Sequence, residues 1–536
     1  MAGVPEVPLV SRKAAPPGDA ALAAALAERL GRDRIATTPE ARDEASRDLW
    51  PRSLLWLRAD DTPPPPDLIC RPRSVEEVAE LIRFARERGV AVVPHGARSG
   101  VCGGTLHLHG GVALDLRGLD RVRSVDPERL EIEVEAGAMG WPLEQRLAAQ
   151  GLTLGHFPSS IALSTVGGWV AARGAGQSSS RYGKIEDLLL GLEVVLGTGE
   201  VVRLDRPAAG SDLLELFLGS EGILGAITAA RLRLFPAPEV QLPRGYRFAS
   251  LHRALQAMEE IFHAGLRPSV ARLYDPFDTW IALGAHAAAD GDAGPQLQPP
   301  VRADLRTSPE RGSLGRKGAT LAGSAKKQAL QGALSLARPL NLAAGTLRSC
   351  LLVLVHEGPA GETRAEAART RAICAGHGGT DLGEGPGRRW LRKRWAVSYQ
   401  LPKMFDAGTW VDTCEVATSW GRVEPLYRAI RHAVAPHAFV MAHFSHAWPD
   451  GCSIYFTFSG PAPSVERGLR SYDAAWRAAL DAAAAEGATI THHHGVGVLK
   501  GPWLEAELGA GGLALLQATK RVCDPDGILN PGKLVP

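Results

Sequence analysis

Three glycine-rich blocks in the first half of the chain constrain its fold most. The first, at 94–104, follows a predicted strand–helix–strand unit, in which Ser74 and Glu77 open the helix as a capping box and Gly89 ends it. Glycine adopts backbone angles closed to other residues, and successive N–H groups in such a loop can form an anion nest. The block has neither the Gly-Lys-Ser/Thr of a P-loop nor a GxGxxG that opens a helix. It therefore predicts a pyrophosphate site, although one glycine-rich loop alone is a weak signal.

The second and third blocks strengthen this interpretation. Residues 158–176 are dense in hydroxyls and glycines, which offer donors to phosphates and leave room for a flat ring. Residues 219–227 read GSEGILGAI and lie just before the last predicted strand of this half. Short strands broken by glycine run from 111 to 238, and the Pro-Ala-Pro at 236–238 marks a predicted domain boundary.

Length and composition exclude several classes of protein. The chain has 536 residues, which is too many for one hydrophobic core, so at least two domains are expected. A net charge of +2 gives no case for nucleic-acid binding. No apolar run approaches the ~18 residues of a membrane span, and the N-terminus lacks the apolar segment of a secretory signal. Seven dispersed cysteines without a CxxC pair fit a reducing compartment, so we expect a cytoplasmic protein that is not secreted.

A predicted strand in the second half carries a tyrosine on a polar face. Residues 451–458 alternate between apolar and polar side chains, so Tyr455 shares one face with Ser453 and Thr457. Most tyrosines in such positions are structural. A phenol on the polar face is nevertheless a candidate for proton transfer.

Three adjacent histidines follow at 492–494. In an extended segment His492 and His494 point the same way and His493 points oppositely. A metal site is one alternative, but no Cys, Asp or Glu close in sequence completes a ligand set, and we predict no metal. The other alternative is a cluster for proton transfer and phosphate binding, because imidazole titrates near neutrality.

Together the three glycine-rich blocks resemble the FAD-binding domain of the vanillyl-alcohol-oxidase/p-cresol-methylhydroxylase family, over about residues 65–236. The resemblance implies FAD, held in a two-subdomain domain that is followed by an α+β substrate domain with an antiparallel sheet. Many relatives tether the flavin through a histidine near the end of the first loop, where this chain has residues 98–100, Arg-Ser-Gly. His95 lies too early in the motif, so the implied FAD is non-covalent. The implied FAD contacts are Pro94, His95, Gly96, Ala97, Arg98, Ser99 and Gly100 at the pyrophosphate, Ser159, Ser160, Ser164, Thr165, Ala172, Arg173, Gly174 and Ala175 at the flavin, and Glu221, Gly222, Ile223, Leu224, Gly225, Ala226 and Ile227 at the adenine half.

The second half of the chain resembles one branch of that family, the alkyldihydroxyacetonephosphate (alkylglycerone-phosphate) synthases. Flavin dehydrogenases of D-lactate and glycolate share the FAD blocks and the Asp-Pro-x-x-Ile-x-Asn-Pro segment near the C-terminus. They typically carry Gly-Glu-His-Gly where this chain has His-His-His-Gly. The resemblance to the synthases is carried by Tyr455 in IYFTF, by His492, His493 and His494 with Lys500 and Trp503 after them, and by residues 268–275, 412–420 and 524–531.

The resemblance implies ether-lipid synthesis without net oxidation. A fatty alcohol replaces the acyl group of acyl-dihydroxyacetone phosphate, while flavin N5 holds substrate C1 as an adduct and the carboxylate leaves. Tyr455 is then implied for proton transfer, the triplet 492–494 for the ketone and phosphate end, and Arg272 for substrate binding beside the flavin. Two alternatives stay open: an FAD-dependent dehydrogenase or oxidase of a 2-hydroxy acid or another alcohol, and a flavin-fold binding protein without turnover.

One position departs from the synthase pattern. The substrate-phosphate arginine of a Tyr-Leu/Ile-Arg-Asp segment falls on Leu401 here, within YQLPK. Lys403 lies two positions away and is predicted to share the phosphate with the histidine triplet. A lysine ammonium does not reproduce the guanidinium fork of arginine, so the identity of the substrate depends on this position.

The chain divides into four predicted parts. A basic, low-complexity insertion at about 285–344 interrupts the third part, and its segment 326–338 is amphipathic. That segment is either a solvated insertion or a membrane-facing element, which would place the protein at the inner face of a membrane. The expected partners are lipid substrates, with a homodimer as an open alternative. The predicted parts are an N-terminal helical extension (1–50), an FAD-binding domain (51–238), a substrate or cap domain (239–505) and a C-terminal segment that returns to the flavin site (506–536).

Overall fold

The computed structural model describes residues 3–12, 15–207, 210–284, 337–395, 405 and 408–535. The helices of these ranges are α1 (Ala20–Leu30), α2 (Pro39–Ala45), α3 (Arg52–Arg58), α4 (Val75–Arg88), α5 (Gly140–Ala148), α6 (Val166–Ala171), α7 (Ser179–Tyr182), α8 (Ile185–Leu188), α9 (Leu251–His263), α10 (Pro276–Gly284), α11 (Ala337–Ala344), α12 (Ala360–Gly376), α13 (Gly385–Lys393), α14 (Trp420–Val434), α15 (Val465–Ala485) and α16 (Leu504–Cys523).

The strands form three larger sheets and two small ribbons. The strands are β1 (Val10–Ser11), β2 (Ile35–Ala36), β3 (Asp61–Thr62), β4 (Leu68–Cys70), β5 (Val92–His95), β6 (Val112–Asp115), β7 (Val122–Asp126), β8 (Glu131–Glu135), β9 (Leu152–Thr153), β10 (Leu189–Leu196), β11 (Val201–Asp205), β12 (Gly225–Arg233), β13 (Phe235–Pro236), β14 (Val240–Phe248), β15 (Val270–Tyr274), β16 (Cys350–Gly358), β17 (Thr380–Asp381), β18 (Thr409–Ser419), β19 (Phe439–Ala447) and β20 (Gly451–Pro461).

The first sheet has the order β2-β4-β6-β5, and both β4 and β5 pair with β6 in parallel. Helix α4 connects β4 to β5. It begins where Ser74 Oγ accepts the Glu77 N–H at 3.3 Å and ends at Gly89, whose φ of 61° is left-handed. The Glu77 carboxylate turns away to Arg34, so only half of the predicted capping box forms. This unit delivers the first glycine-rich block from the end of β5.

The second sheet is antiparallel, in the order β11-β10-β12-β8-β7. It follows the first sheet along the chain, and the second and third glycine-rich blocks lie between its strands. The C-terminal segment returns to the first sheet, since Leu529 forms a parallel bridge with Val92 of β5.

The third sheet has seven antiparallel strands in the order β17-β14-β16-β15-β19-β20-β18, which confirms the predicted α+β architecture. One face packs on helices: Phe456 of β20 stacks on Tyr427 of α14, and Phe458 contacts Trp476 of α15 edge-on. The alternation predicted for this strand is present, because the residues between these phenylalanines and beside them point to the opposite face. That polar face, with Tyr455, is turned to the glycine-rich blocks.

The predicted N-terminal helical extension contains α1 and one more helix. A second helix, α2, begins at Thr38, whose Oγ1 accepts the Ala41 N–H, and a proline occupies its first turn. Of the predicted insertion, only α11 lies among the described residues, and the amphipathic 326–338 segment lies almost wholly outside them. Within the described ranges, no helix combines the length and the apolar character that crossing a membrane requires.

Candidate active site

A cavity of about 690 Å³ lies between the glycine-rich blocks and the polar face of the seven-stranded sheet. The predicted residues Arg272, Tyr455, His493 and His494 line it, whereas His492 does not. The FAD-contacting residues predicted from the sequence that line it are Pro94, His95, Gly96, Ala97, Arg98, Ser99, Gly100, Ser159, Ser160, Ser164, Thr165, Ala172, Gly174, Ala175, Glu221, Gly222, Gly225 and Ile227.

Four predicted FAD residues do not line the cavity. The Arg173 guanidinium pairs with Glu186 at 2.8 Å instead. Ile223, Leu224 and Ala226 are buried in the hydrophobic cores. Their side chains therefore support the third block from behind and face away from any ligand.

The first block offers space and donors to an anion. Among the described residues, the N–H groups of Ser99 and Gly100 have no hydrogen-bond partner, and neither has the buried His95 Nε2. Burial and the nearby Arg98 lower the pKa of His95 to about 3, so its imidazole is neutral. Gly96 lies so close to Thr165 that a Cβ would meet the Thr165 hydroxyl oxygen at 2.0 Å. These groups fit the pyrophosphate of a dinucleotide.

The third block is tied to the loop that follows the histidine triplet. The Glu221 carboxylate accepts the N–H groups of Val496 and of Gly497, the latter at 2.9 Å. Burial raises the pKa of Glu221 to about 7. Asn530 of the C-terminal segment donates to the Glu221 carbonyl at 2.7 Å and to the Gly104 carbonyl at 3.0 Å. The cofactor blocks and the second half of the chain thus share one hydrogen-bonded junction.

Tyr455 occupies the centre of the polar sheet face. Strand register places it between Glu415 of β18 and His443 of β19. Its hydroxyl donates to Thr413 Oγ1 at 3.0 Å, and its ring stacks on the His443 ring with centroids 4.7 Å apart. Burial raises the pKa of Tyr455 to about 12, so the phenol keeps its proton at neutral pH.

The histidine triplet wraps around one carboxylate. Glu415 Oε1 accepts the N–H groups of His492, His493 and His494 at 3.1, 3.1 and 2.8 Å. The segment is bent where the sequence analysis considered an extended one, and its carboxylate partner Glu415 comes from a strand about eighty residues away. Because of this bend, His493 and His494 both reach the cavity wall.

A buried ion pair completes this arrangement. Glu415 Oε2 accepts from Lys500 Nζ at 2.8 Å, both side chains are 0% exposed, and His494 Nδ1 lies 3.2 Å from the same oxygen. Burial alone would raise the pKa of Glu415, but His494 and Lys500 outweigh it and hold this pKa well below its usual range. The carboxylate is therefore an ionised anchor for the triplet.

Two histidines that the sequence analysis missed, His443 and His446, extend the cluster. His446 Nδ1 is hydrogen-bonded to Ser179 Oγ at 2.7 Å, and its ring lies 4.9 Å from that of His493. Burial, with nearby positive charge, lowers the pKa of both, that of His446 to about 3. The signal was present in the sequence, because His443 alternates with the apolar Ala442 and Phe444 as a strand residue does.

A cation and a carboxyl flank the tyrosine on its other side. Arg272 Nη2 donates to His443 Nδ1 at 3.2 Å. Asp278 of α10 lines the cavity with its Oδ2 3.9 Å from the same nitrogen. Burial and the neighbouring Asp275 raise the pKa of Asp278 to about 7. Arg272 thus lines the cavity and contacts a histidine, and its role in substrate binding stays a prediction.

Another part of the cavity wall is apolar. Ile281 of α10, Leu351 and Val353 of β16, and Met441 of β19 line it. Leu401 and Lys403 lie outside the described residues, so the predicted phosphate contact of Lys403 has no position in the structure.

Comparison with known protein families identifies the larger group. The model for the C-terminal domain of FAD linked oxidases matches residues 238–534, which is more than half of the chain, and the model for an FAD binding domain matches residues 66–205. The chain belongs to the FAD-linked oxidase family. It is accordingly an FAD-dependent enzyme, and the predicted cofactor is confirmed.

Relatives of this chain include synthases and oxidases. Alkyldihydroxyacetonephosphate synthase of Trypanosoma brucei brucei is 29% identical over 91% of this chain and 76% of its own length, and that of Dictyostelium discoideum is 28% identical over 90% and 76%. Glycolate oxidase subunit GlcD of Bacillus subtilis is 26% identical over 88% and 89%. The resemblance to the synthases predicted from the sequence is thus confirmed.

Solved structures agree on the fold. An alkyldihydroxyacetonephosphate synthase superposes with a TM-score of 0.74 at 24% identity, covering 98% of this chain and 88% of its own. A p-cresol methylhydroxylase with substrate bound gives 0.69 at 15% identity, covering 96% of each chain. The predicted fold class is confirmed by these neighbours.

Proposed function

We propose that this enzyme makes an ether lipid, by exchanging the acyl chain of acyl-dihydroxyacetone phosphate for a fatty alcohol with no net redox change. The observation that carries the proposal is the shared cavity, in which Tyr455, His493 and His494 face the FAD-binding blocks beside an apolar wall. Proteins named alkyldihydroxyacetonephosphate synthase are among the relatives of the chain.

The cofactor site would hold FAD without a covalent bond. Ser99 and Gly100 would bind the pyrophosphate, while Thr165, Gly174 and Ala175 would lie along the flavin ring. Bound FAD supplies a ring nitrogen that can hold a substrate carbon while one chain leaves and the other enters. The neutral, buried His95 accepts no tether in this proposal, because it lies too early in the first block.

Tyr455 moves the proton in this proposal. Its hydroxyl is protonated at neutral pH and held by Thr413, so it can donate at substrate C1 or exchange a proton with the incoming alcohol. General acid–base catalysis by one positioned group typically contributes ~10²–10⁴-fold. The stacked His443 is neutral and fixes the plane of the phenol ring.

His493 and His494 bind the ketone and phosphate end. Their backbone is fixed by Glu415, so the two rings present nitrogen atoms from a rigid turn. Burial lowers the pKa of His493. A phosphate dianion beside it would favour the protonated ring, so substrate binding and protonation reinforce each other. Lys403, which is not among the described residues, is proposed to share in binding the phosphate.

The apolar wall holds the alkyl chain. Ile281, Leu351 and Val353 offer aliphatic surface next to the polar centre, and burying a chain there gains ~0.8 kcal/mol per methylene. A position at a membrane surface would supply both lipid substrates. The basic segment 326–338 is the proposed contact with that surface.

Anaerobic mixing tests the proposal. The FAD-loaded enzyme is mixed with acyl-dihydroxyacetone phosphate and a fatty alcohol, without any electron acceptor. Release of fatty acid together with an ether product, and a flavin spectrum that returns to the oxidised form, supports the synthase. Absence of ether product with both substrates at saturating concentration contradicts it.

Oxidation of a 2-hydroxy acid is the second candidate. The glycolate oxidase relative and the pairing of the cationic Arg272 with the neutral His443 favour it, since such a pair can bind a carboxylate and accept a proton. Lasting anaerobic bleaching of the flavin by D-lactate or glycolate, without ether formation from the lipid substrates, would favour this activity.

A further inference from the structure

Arg394 presents a buried guanidinium to the cavity, and the described part of the chain leaves its Nε without a hydrogen-bond partner. It follows the last residue of α13 and lines the cavity. Among the described residues, its guanidinium makes no hydrogen bond or ion pair, and its Nε is buried without a partner. A buried, unpaired guanidinium is costly, so a protein keeps one where a ligand completes it.

Aromatic rings fix the position of this cation. The Arg394 guanidinium carbon lies 4.4 Å from the ring centroid of Trp395, 5.5 Å from that of Phe157 and 5.9 Å from that of Trp390. Stacking on rings holds the plane of the fork but leaves its N–H edge available to an oxyanion. Burial lowers the pKa of Arg394 to about 10, so the group is charged at neutral pH.

The backbone ties Arg394 to the second glycine-rich block. Gln177 Nε2 donates to the Arg394 carbonyl at 3.3 Å and to Ser159 Oγ at 3.0 Å. Arg389 and Lys393 of α13 line the same cavity. This part of the wall is therefore basic, and aromatic rings surround the fork of Arg394.

We propose that Arg394 binds the anionic head group of the substrate, as a bidentate guanidinium–oxyanion pair, and so supplies the arginine that Leu401 lacks. The class of ligand is a phosphate or carboxylate, and the choice of phosphate rests on the proposed function. Arg394 is on this view a substrate-binding residue like His493 and His494, distinct from Tyr455, which moves the proton.

The expected effect is on binding. Loss of a charge-assisted bidentate pair weakens binding roughly 10- to 100-fold. Arg394→Met should raise KM for acyl-dihydroxyacetone phosphate by that factor, with kcat within threefold and KM for the fatty alcohol unchanged. Arg394→Lys, which keeps the charge without the fork, should lie between Met and wild type.

The experiment uses the FAD-loaded full chain and a matched control. Arg392 lies in α13, which ends just before Arg394, but does not line the cavity, so Arg392→Met should behave as wild type. Flavin content is read from absorbance in every variant. Titration with dihydroxyacetone phosphate, followed by the flavin difference spectrum, measures binding apart from turnover, and inorganic phosphate tests whether the head group alone suffices.

The outcomes separate this inference from the proposed function. If wild type makes ether and Arg394→Met has an unchanged KM, or if the variant loses FAD, the inference is wrong and the function stands. If wild type makes no ether but oxidises D-lactate, a 10-fold higher KM for D-lactate in Arg394→Met keeps the anion role and rejects the phosphate. If Arg394→Met fails to fold, Arg394→Lys decides: unchanged affinity for dihydroxyacetone phosphate overturns the inference.

Discussion

Replacing Glu415 by glutamine tests whether one buried carboxylate organises the histidine triplet. The substitution keeps the shape of the side chain and one oxygen for the three N–H groups, but removes the negative charge opposite Lys500. Breaking a buried ion pair by removing one partner typically costs ~3–5 kcal/mol, because the other charge stays buried and unpaired. Glu415→Gln should therefore lower the free energy of unfolding by about this amount and reduce turnover.

The stabilisation that Glu415 provides should depend on pH in a defined direction. Because the pKa of Glu415 is lowered in the folded protein, its contribution is present above the unfolded value, near ~4.3, and is lost as pH falls through the folded pKa. The difference in free energy of unfolding between wild type and Glu415→Gln should thus have its full value at pH 7 and decrease in strong acid. Lys500, whose pKa is raised, keeps its charge throughout this window.

Urea unfolding of the FAD-loaded protein, followed by tryptophan fluorescence, measures the change. Glu466→Gln is the matched control, since Glu466 pairs with Arg470 on the exposed face of α15 and such pairs typically contribute ~0–1 kcal/mol. A Glu415→Gln protein as stable as that control, with normal turnover, would refute the anchoring role of the carboxylate.

Three further predictions concern the reaction and its cofactor. Tyr455→Phe should retain FAD but lose ~10²–10⁴-fold in kcat; a rate within threefold of wild type would return Tyr455 to a structural role. Asp278, with its pKa of about 7, is neutral below and anionic above that pH, so KM for the phosphate substrate should rise above pH 7 and Asp278→Asn should flatten the profile. Acid precipitation should release the yellow colour into the supernatant, and colour that stays with the pellet would show a covalent flavin.

Local sequence patterns were enough to predict features that depend on a single helix, strand or loop. The alternation of β20 placed Tyr455 on the polar face, and the cap at Ser74 with the left-handed Gly89 bounded α4. The three glycine-rich blocks indicated one site, and residues of all three line the same cavity. Such features depend on residues a few positions apart.

Long-range pairing explains what the sequence did not reveal. Glu415 and Lys500 meet the histidine triplet only because β18, β20 and the following loop come together in three dimensions. His443 joins Tyr455 through the register of β19 with β20, which a single strand pattern does not specify. Arg394 carries no motif of its own, and its role depends on the rings that surround it in the folded chain.

The central claim is that an alcohol replaces a carboxylate at one substrate carbon without net redox change, and oxygen labelling tests it most directly. In an anaerobic single turnover with acyl-dihydroxyacetone phosphate and an ¹⁸O-labelled fatty alcohol, the leaving carboxylate takes both of its oxygens, so the ether product should carry the label and the released fatty acid should not. The flavin should be oxidised at the end. Label found in an ester of the fatty acid and the alcohol, or a flavin that stays reduced without ether product, would contradict the claim.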